Sequence, residues 1–211
     1  FREKIKILIV NNGSTDNTKE VLDNEIENYS FAKTIEIENN QGYGYGILQG
    51  LKYTSSEFIG WTHGDLQTEL KDLLKATKLI KKYNHSDKLF IKGKRQGRPT
   101  FDQFFSNCMS IFESLLFLMP LYEINAQPTI FHRSLYNHCK RPPTDFSIDL
   151  YFYVKALLLN YQVKRFNVKF LSRIYGSSKW NINIQSKIRF IKRTLAYSFK
   201  LYKNIRKEKS C

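Results

Sequence analysis

Short apolar runs and amphipathic stretches alternate along the first hundred residues. IKILIV (5–10) is β-branched and uninterrupted, the pattern of a buried strand. NNGSTDNT follows, a cluster of turn formers that also supplies helix N-caps. TKEVLDNEIENY has helical spacing, with Val21, Leu22 and Ile26 on its inward face. KTIEIE (33–38) alternates and predicts a second strand, and NNQGYGYGILQGLKYT turns through glycines into a helix. EFIGW (57–61) reads as a third strand and KLFIKG (88–93) as a fourth. Between them ELKDLLKATKLIKKY (69–83) is an amphipathic helix, capped by Thr68.

After residue 100 the pattern changes. A long apolar helix is predicted from about Phe101 to Leu121, a strand over PTIFHR (128–133), a helix over 145–160 and a strand over 161–170. From Ile182 onward, apolar residues at 184, 188, 191, 195, 199 and 202 form a helical stripe with Lys and Arg between them. Strands alternating with helices of these lengths predict an α/β domain with a mostly parallel sheet covered by helices on both faces. Ligands in such sheets sit beyond the carboxyl ends of the strands. Three polar loops fall there: Asn11–Asp16, Asn39–Gly46 and Thr62–Thr68.

The chain has 211 residues, 42% of them hydrophobic, which is enough for one sizeable core. Its net charge is +15, and residues 182–211, with nine Lys or Arg and one Glu, carry +8 of it. Such a surplus calls for an anionic partner: nucleic acid, a phosphate-bearing ligand or an anionic membrane. Cys108, Cys139 and Cys211 have no metal-ligand spacing and an odd count, so a reducing compartment is the simpler reading. No run of 18 apolar residues exists; the nearest, 104–122, is interrupted by Glu113 and Pro120. No signal peptide is visible, and the chain opens on Phe, almost directly on a strand, as a piece of a longer protein would.

The chemistry concentrates in the loops. GWTHGDLQTE (60–69) offers one carboxylate, Asp65, where a metal-dependent nucleotide site commonly offers two, with His63 beside it. The run Gly42-Tyr-Gly44-Tyr-Gly46 lacks the G-x-G-x-x-G spacing of a dinucleotide fold. It serves either as a turn that lets the backbone approach an anion or as a closely packed helix entry.

Taken in order and spacing, VNNGSTDNT, NNQGYGYGILQGL, HGDLQTE and the later RIYGSSK (173–179) resemble the family 2 glycosyltransferases of the GT-A fold. The likeness is strongest to the dolichol- and polyprenyl-phosphate sugar transferases and related bacterial polysaccharide enzymes. It covers nearly the whole chain, apart from a first strand that in the family lies upstream of Phe1. The resemblance implies a GT-A domain over 1–181, followed by a basic amphipathic helical tail over 182–211. It implies a nucleotide-sugar donor bound by Asn11, Asn12, Asp16, Gly42, Gly44 and His63. Asn11 and Asn12 stand where the family has two aspartates, and Asp16 serves equally well as a helix cap.

Asp65 and Gln67 match the positions that help hold a divalent metal, Mg²⁺ or Mn²⁺, against the donor diphosphate. One carboxylate can suffice, because phosphate and water complete the octahedron. Asp149 matches the position associated with the general base, or else it opens its helix. Lys94, Arg95, Arg98, Arg173 and Lys179 are candidates for holding phosphates of donor or acceptor, each with a solvated surface role as the alternative. Gln127 and Pro128 depart from the lipid-phosphate subfamily. The expected activity is metal-assisted, inverting transfer of a sugar to a lipid-linked or polysaccharide acceptor, at the cytoplasmic face of an anionic membrane. The competing reading is a glycosyltransferase-like binding or regulatory module without turnover. A nucleic-acid partner rests on charge alone and is not expected. The tail either lies in the membrane interface or packs on the body with a solvated basic face.

Overall fold

The computed structural model describes residues 5–65, 67–69, 71–171 and 184–209. Six strands and seven helices follow in the order β1 (Ile7–Asn12), α1 (Thr18–Ile26), β2 (Ala32–Ile37), α2 (Tyr43–Lys52), β3 (Phe58–Trp61), α3 (Asp72–Lys82), β4 (Leu89–Gln96), α4 (Thr100–Phe117), β5 (Thr129–His132), α5 (Arg133–His138), α6 (Ile148–Leu158), β6 (Gln162–Lys169) and α7 (Ile184–Lys209).

The strands form two sheets. β1 and β2 pair in parallel, and the other four follow the order β3-β5-β4-β6. β4 and β6 are parallel, but β5 lies between β3 and β4 and runs against both. The sheet is therefore mixed, where a mostly parallel one was expected. β5 runs antiparallel to β4 even though α4 lies between them in sequence: after α4 the chain passes through the irregular 118–128 segment and enters β5 from the opposite end of the sheet. IKILIV does not become a fully buried strand: Ile7 to Val10 are all half-buried.

Alternation along β4 assigns the two faces of the larger sheet. Leu89 and Ile91 meet Ala76 and Ile80 of α3 on one side. Phe90 meets Phe131 of β5 and the α6 side on the other. Helices thus cover both faces, as expected. α6 is buried from Ile148 through Val154 and is apolar nearly all round, because it is enclosed on every side. Phe152 stacks on Phe131 and packs edge-on to Trp61, which ties this helix to β3 and β5.

Four local expectations change. Val21 is exposed on α1, and Leu22 and Ile26 are only half-buried, because α1 covers the small two-stranded sheet alone. Thr68 does not cap α3, which starts four residues later; its buried hydroxyl meets that of Thr62 at 3.2 Å and closes the loop on itself. α5 follows β5 directly and was not foreseen; His132 caps it by accepting from the Ser134 amide. In α7, Leu201 and Ile205, absent from the apolar stripe read in the sequence, enter the core, whereas Ile188 and Phe199 stay half-exposed. The tail helix is packed against the body, principally on α4. No helix among the described residues is long and apolar enough to cross a membrane.

Candidate active site

The three polar loops converge. Asn12, the last residue of β1, donates from Nδ2 to the Gly42 carbonyl at 3.0 Å. A Cβ on Gly13 would strike the backbone of Asn40, so the first two loops touch along their main chains. Tyr43, opening α2, stacks on His63 of the third loop with centroids 5.5 Å apart. A fourth segment, 143–149, closes the cluster: Thr144 accepts from the Tyr45 amide at 2.9 Å, and Phe146 stacks on the Tyr43 ring at 4.7 Å.

The glycines serve close packing. Gly42 sits at φ 111° as the residue before α2. A Cβ on Gly44 would lie 2.6 to 2.8 Å from three backbone atoms of Pro143, Thr144 and Asp145. Of the two sequence readings, the packed helix entry therefore describes Gly42 and Gly44, and any donor contact there falls to the main chain. Asn11 is buried, and its Oδ1 accepts from the Ser14 amide, shaping the turn. The Oδ1 of Asn12 is buried and meets no hydrogen-bond donor among the described residues, an orphan acceptor at the junction of two loops. Asp16 accepts from the Thr18 amide and hydroxyl, which lowers its pKa and closes the turn just ahead of α1, whose N-cap position is taken by Asn17.

Asp65 is half-buried, and its Oδ1 accepts from the Gln67 amide at 3.2 Å. The Gln67 side chain donates to the Leu171 carbonyl at 3.3 Å, while the Leu171 amide returns a bond to the Gln67 carbonyl at 2.9 Å. The third loop is thereby fixed to the end of β6. Arg173 and Lys179, with the rest of RIYGSSK, lie outside the described residues.

Asp149 is the second residue of α6, 2% exposed beneath Tyr43. Gln127 Nε2 donates to its Oδ1 at 3.0 Å, the Tyr43 hydroxyl donates to its Oδ2 at 3.3 Å, and Gln127 also donates to that hydroxyl at 3.0 Å. Lys92 Nζ lies 3.8 Å from Oδ1 and donates to Thr129 at 2.8 Å. The Trp61 indole faces the same carboxylate without a well-formed hydrogen bond. Burial raises the pKa of Asp149, against the opposing pull of Lys92 and His63, and lowers that of Lys92 to about 7. Burial, with Asp149 second, also holds the Tyr43 phenol far above its usual range. As placed, Asp149 is enclosed by Tyr43, Gln127 and Lys92 and is nearly shut off from solvent. Asp145, whose Oδ1 accepts from the Ser147 amide, shapes the turn that leads into α6.

Arg95 and Arg98 do not gather at the loops. Arg95 pairs with Glu123 at 2.6 Å, and Arg98, near the same carboxylate, donates to Ser106 and to the Asp102 carbonyl. Together they tie the end of β4 to α4. Lys94 is exposed. Sequence reasoning passed over Lys92, Tyr43 and Phe146. The signal for Lys92 was present: a lysine inside the apolar LFIKG half of β4 and the one aspartate of an apolar helix are expected to find each other.

An α/β core with helices on both faces and a loop cluster past β1 and β3 defines the class, and comparisons agree with it. The profile of the family described as "Glycosyl transferase family 2" matches residues 1–137, and the chain belongs to that family. No curated protein matches the chain in sequence. Among solved structures, a mannosyltransferase of Pyrobaculum calidifontis is similar at TM-score 0.67 and 17% identity, over 95% of this chain and 56% of that one. TarS 1–349 of S. aureus is similar at TM-score 0.54 and 21% identity, over 79% of this chain and 50% of that one. Glucosyl-3-phosphoglycerate synthase of Mycobacterium tuberculosis is similar at TM-score 0.67 and 12% identity, over 93% of this chain and 68% of that one. The chain thus spans about half the length of the first two. At these identities the likeness speaks for the fold.

Proposed function

We propose that the protein transfers a sugar from a nucleotide-diphosphate sugar to a lipid-linked or polysaccharide acceptor, with inversion, at the inner face of an anionic membrane. The observation that carries this reading is the convergence of the Asn12, Gly42 and His63–Asp65 loops into one cluster. The Pyrobaculum mannosyltransferase was solved with GDP-Man and Mn²⁺, the mycobacterial synthase with Mn²⁺ and UDP-glucose, and TarS with UDP-GlcNAc. All three support a nucleotide-sugar donor here.

Asn12 Oδ1 is an acceptor awaiting an N–H and suits the base or ribose side of the donor. A divalent cation, Mg²⁺ or Mn²⁺, fits the third loop provided the donor brings most of its ligands. No group of three or more His, Cys, Asp or Glu among the described residues encloses an ion. Asp65 and Gln67 would then supply the protein's oxygens. When bound, such a cation offsets charge on the departing diphosphate. His63, held by the Tyr43 stack, borders the same space and is placed for a ribose or phosphate contact.

The displacement forms one bond from an acceptor oxygen to the anomeric carbon and breaks the bond from that carbon to the diphosphate. An alcohol acceptor needs a base to take its proton, whereas a phosphate oxygen is already anionic. The burial of Asp149 supports an acceptor of the second kind, a lipid phosphate. In this reading Asp149, Gln127 and Lys92 act as positioning residues that hold Tyr43, and through it His63, in place.

The test is turnover by the intact protein with UDP- and GDP-sugars, polyprenyl phosphate and Mn²⁺. Glycosylated lipid and released nucleoside diphosphate are expected, with Asp65→Ala lowering the rate by about a hundredfold or more. Tight donor binding without release would favour the competing view of a module that has lost turnover. Equal rates for Asp65→Ala would overturn the site.

A further inference from the structure

One long helix turns its apolar side outward. On α4, Phe104, Ile111 and Leu115 are 67, 61 and 70% exposed, and Leu118, just past its end, is 87% exposed. Their spacing of seven, four and three residues puts them in a single stripe. The opposite side of the helix is the buried one, with Ser110, Glu113 and Phe117. α4 contains no Lys or Arg, and its two acids, Asp102 and the buried Glu113, do not interrupt the stripe. Scattered exposed leucines are ordinary, but a contiguous, uncharged helical face is an interaction surface.

α7 supplies the charge beside it. Phe199 packs edge-on against Phe112 of α4, and Ser198 donates to Glu113, so α7 lies alongside the stripe. Helical spacing puts Ile188, Lys192, Phe199 and Lys203 on one flank of α7, the flank that meets α4 at Phe112. Ile188 and Phe199 are half-exposed, and Lys192 and Lys203 are exposed. The surface is therefore an apolar row edged by cations.

We infer that the α4 stripe inserts among the acyl chains of an anionic bilayer while Lys192 and Lys203 of α7 engage the headgroup phosphates. A second copy of this chain is a poorer occupant, since each copy would bring its own basic flank to the edge of the contact and like charges would meet. An anionic headgroup layer over hydrocarbon matches both halves of the surface. The inference deepens the membrane-surface reading above, and it names α4 rather than the basic tail as the part that enters the lipid.

The test is co-sedimentation of the intact protein with phosphatidylcholine vesicles, with and without about one-third phosphatidylglycerol. The wild type is expected to bind the anionic vesicles and not the neutral ones. Ile111→Glu/Leu115→Glu should weaken that binding by at least about tenfold, with an unchanged circular dichroism spectrum. Leu118→Asn is a second, milder variant, because asparagine suits the φ of 53° at that residue; it should weaken binding by about threefold to tenfold. Lys192→Glu/Lys203→Glu should abolish the preference for anionic lipid. If both apolar variants bind like the wild type while the lysine variant does not, α7 charge alone makes the contact, and the stripe is refuted with the membrane reading intact. If the wild type binds neither vesicle, both ideas fail. A homodimer that Ile111→Glu/Leu115→Glu converts to monomer would identify the stripe as a protein contact and overturn the inference.

Discussion

Glu113 gives the sharpest stability prediction. It is 1% exposed in α4, accepts a hydrogen bond from Ser198 of α7, and has its second oxygen buried with no hydrogen-bond partner among the described residues. Burial pushes its pKa from 4.5 up to about 7, against a smaller opposing effect of Ser198. The folded state therefore binds this proton more tightly than the unfolded state does. Below about pH 4.5 the group is protonated in both states and carries no penalty. As pH rises from 4.5 to 7 the unfolded state loses the proton first, and stability falls. Above 7 the whole penalty is in place. The rise from 4.5 to about 7, at about 1.4 kcal/mol for each tenfold change in proton affinity, corresponds to about 3 kcal/mol.

Glu113→Gln keeps the acceptor for Ser198 and cannot ionise. At pH 5 the variant should unfold close to the wild type. At pH 8 it should be more stable by about 2–3 kcal/mol, or roughly 4–12 °C in Tm for a chain of this size. Thermal unfolding of both proteins at pH 5, 6, 7 and 8 reads this directly. Lys92 contributes with the opposite sign, since its lowered pKa adds stability as pH rises from about 7 towards 10.5. It is common to both proteins and cancels in their difference. A wild-type-minus-variant difference that stays flat from pH 5 to 8 would refute the reasoning.

Other expectations follow from the same packing. Lys92→Met strips the cation from a fully buried carboxylate and should cost about 3–5 kcal/mol in urea unfolding; adding Asp149→Asn should recover a large part, and a double variant no better than Lys92→Met would show that the pair is not coupled. Gly44→Ala drives a methyl group into the 143–145 backbone and should cost about 1–3 kcal/mol in thermal unfolding, with weaker donor binding as the loops separate. Arg95→Ala leaves Glu123 without its closest cation beside α4 and should destabilise the chain by about 1–3 kcal/mol, an effect that adding Glu123→Gln should reduce.

The strands and most helices were legible because period-2 and period-3.6 patterns are local properties of the chain. The direction of β5 was not, since PTIFHR reads the same whichever way its neighbours run. α1 misled for a related reason: Val21 has the right spacing for a buried face, but the sheet beneath α1 has two strands and cannot cover it. The loops showed which residue types gather at the strand ends, and Asn12, His63 and Asp65 do share one cluster. Their partners were harder to see. Arg95 and Arg98 have the composition of a phosphate site, yet Glu123 lies 25 or more positions away in sequence, and only the fold brings it to them. Asp149 was read as a base or a helix opener. Neither reading anticipated that Lys92, Gln127 and Tyr43, from three distant segments, would enclose it.

The central claim is that Asp65 holds a divalent cation against the diphosphate of a nucleotide-sugar donor. Electron paramagnetic resonance of Mn²⁺ titrated into the intact protein, with and without GDP or UDP, tests it most directly. Free Mn²⁺ signal is expected to be lost only when protein and nucleotide are present together, and to be largely retained with Asp65→Ala. Equal Mn²⁺ uptake by the wild type and Asp65→Ala in the presence of nucleotide would contradict it.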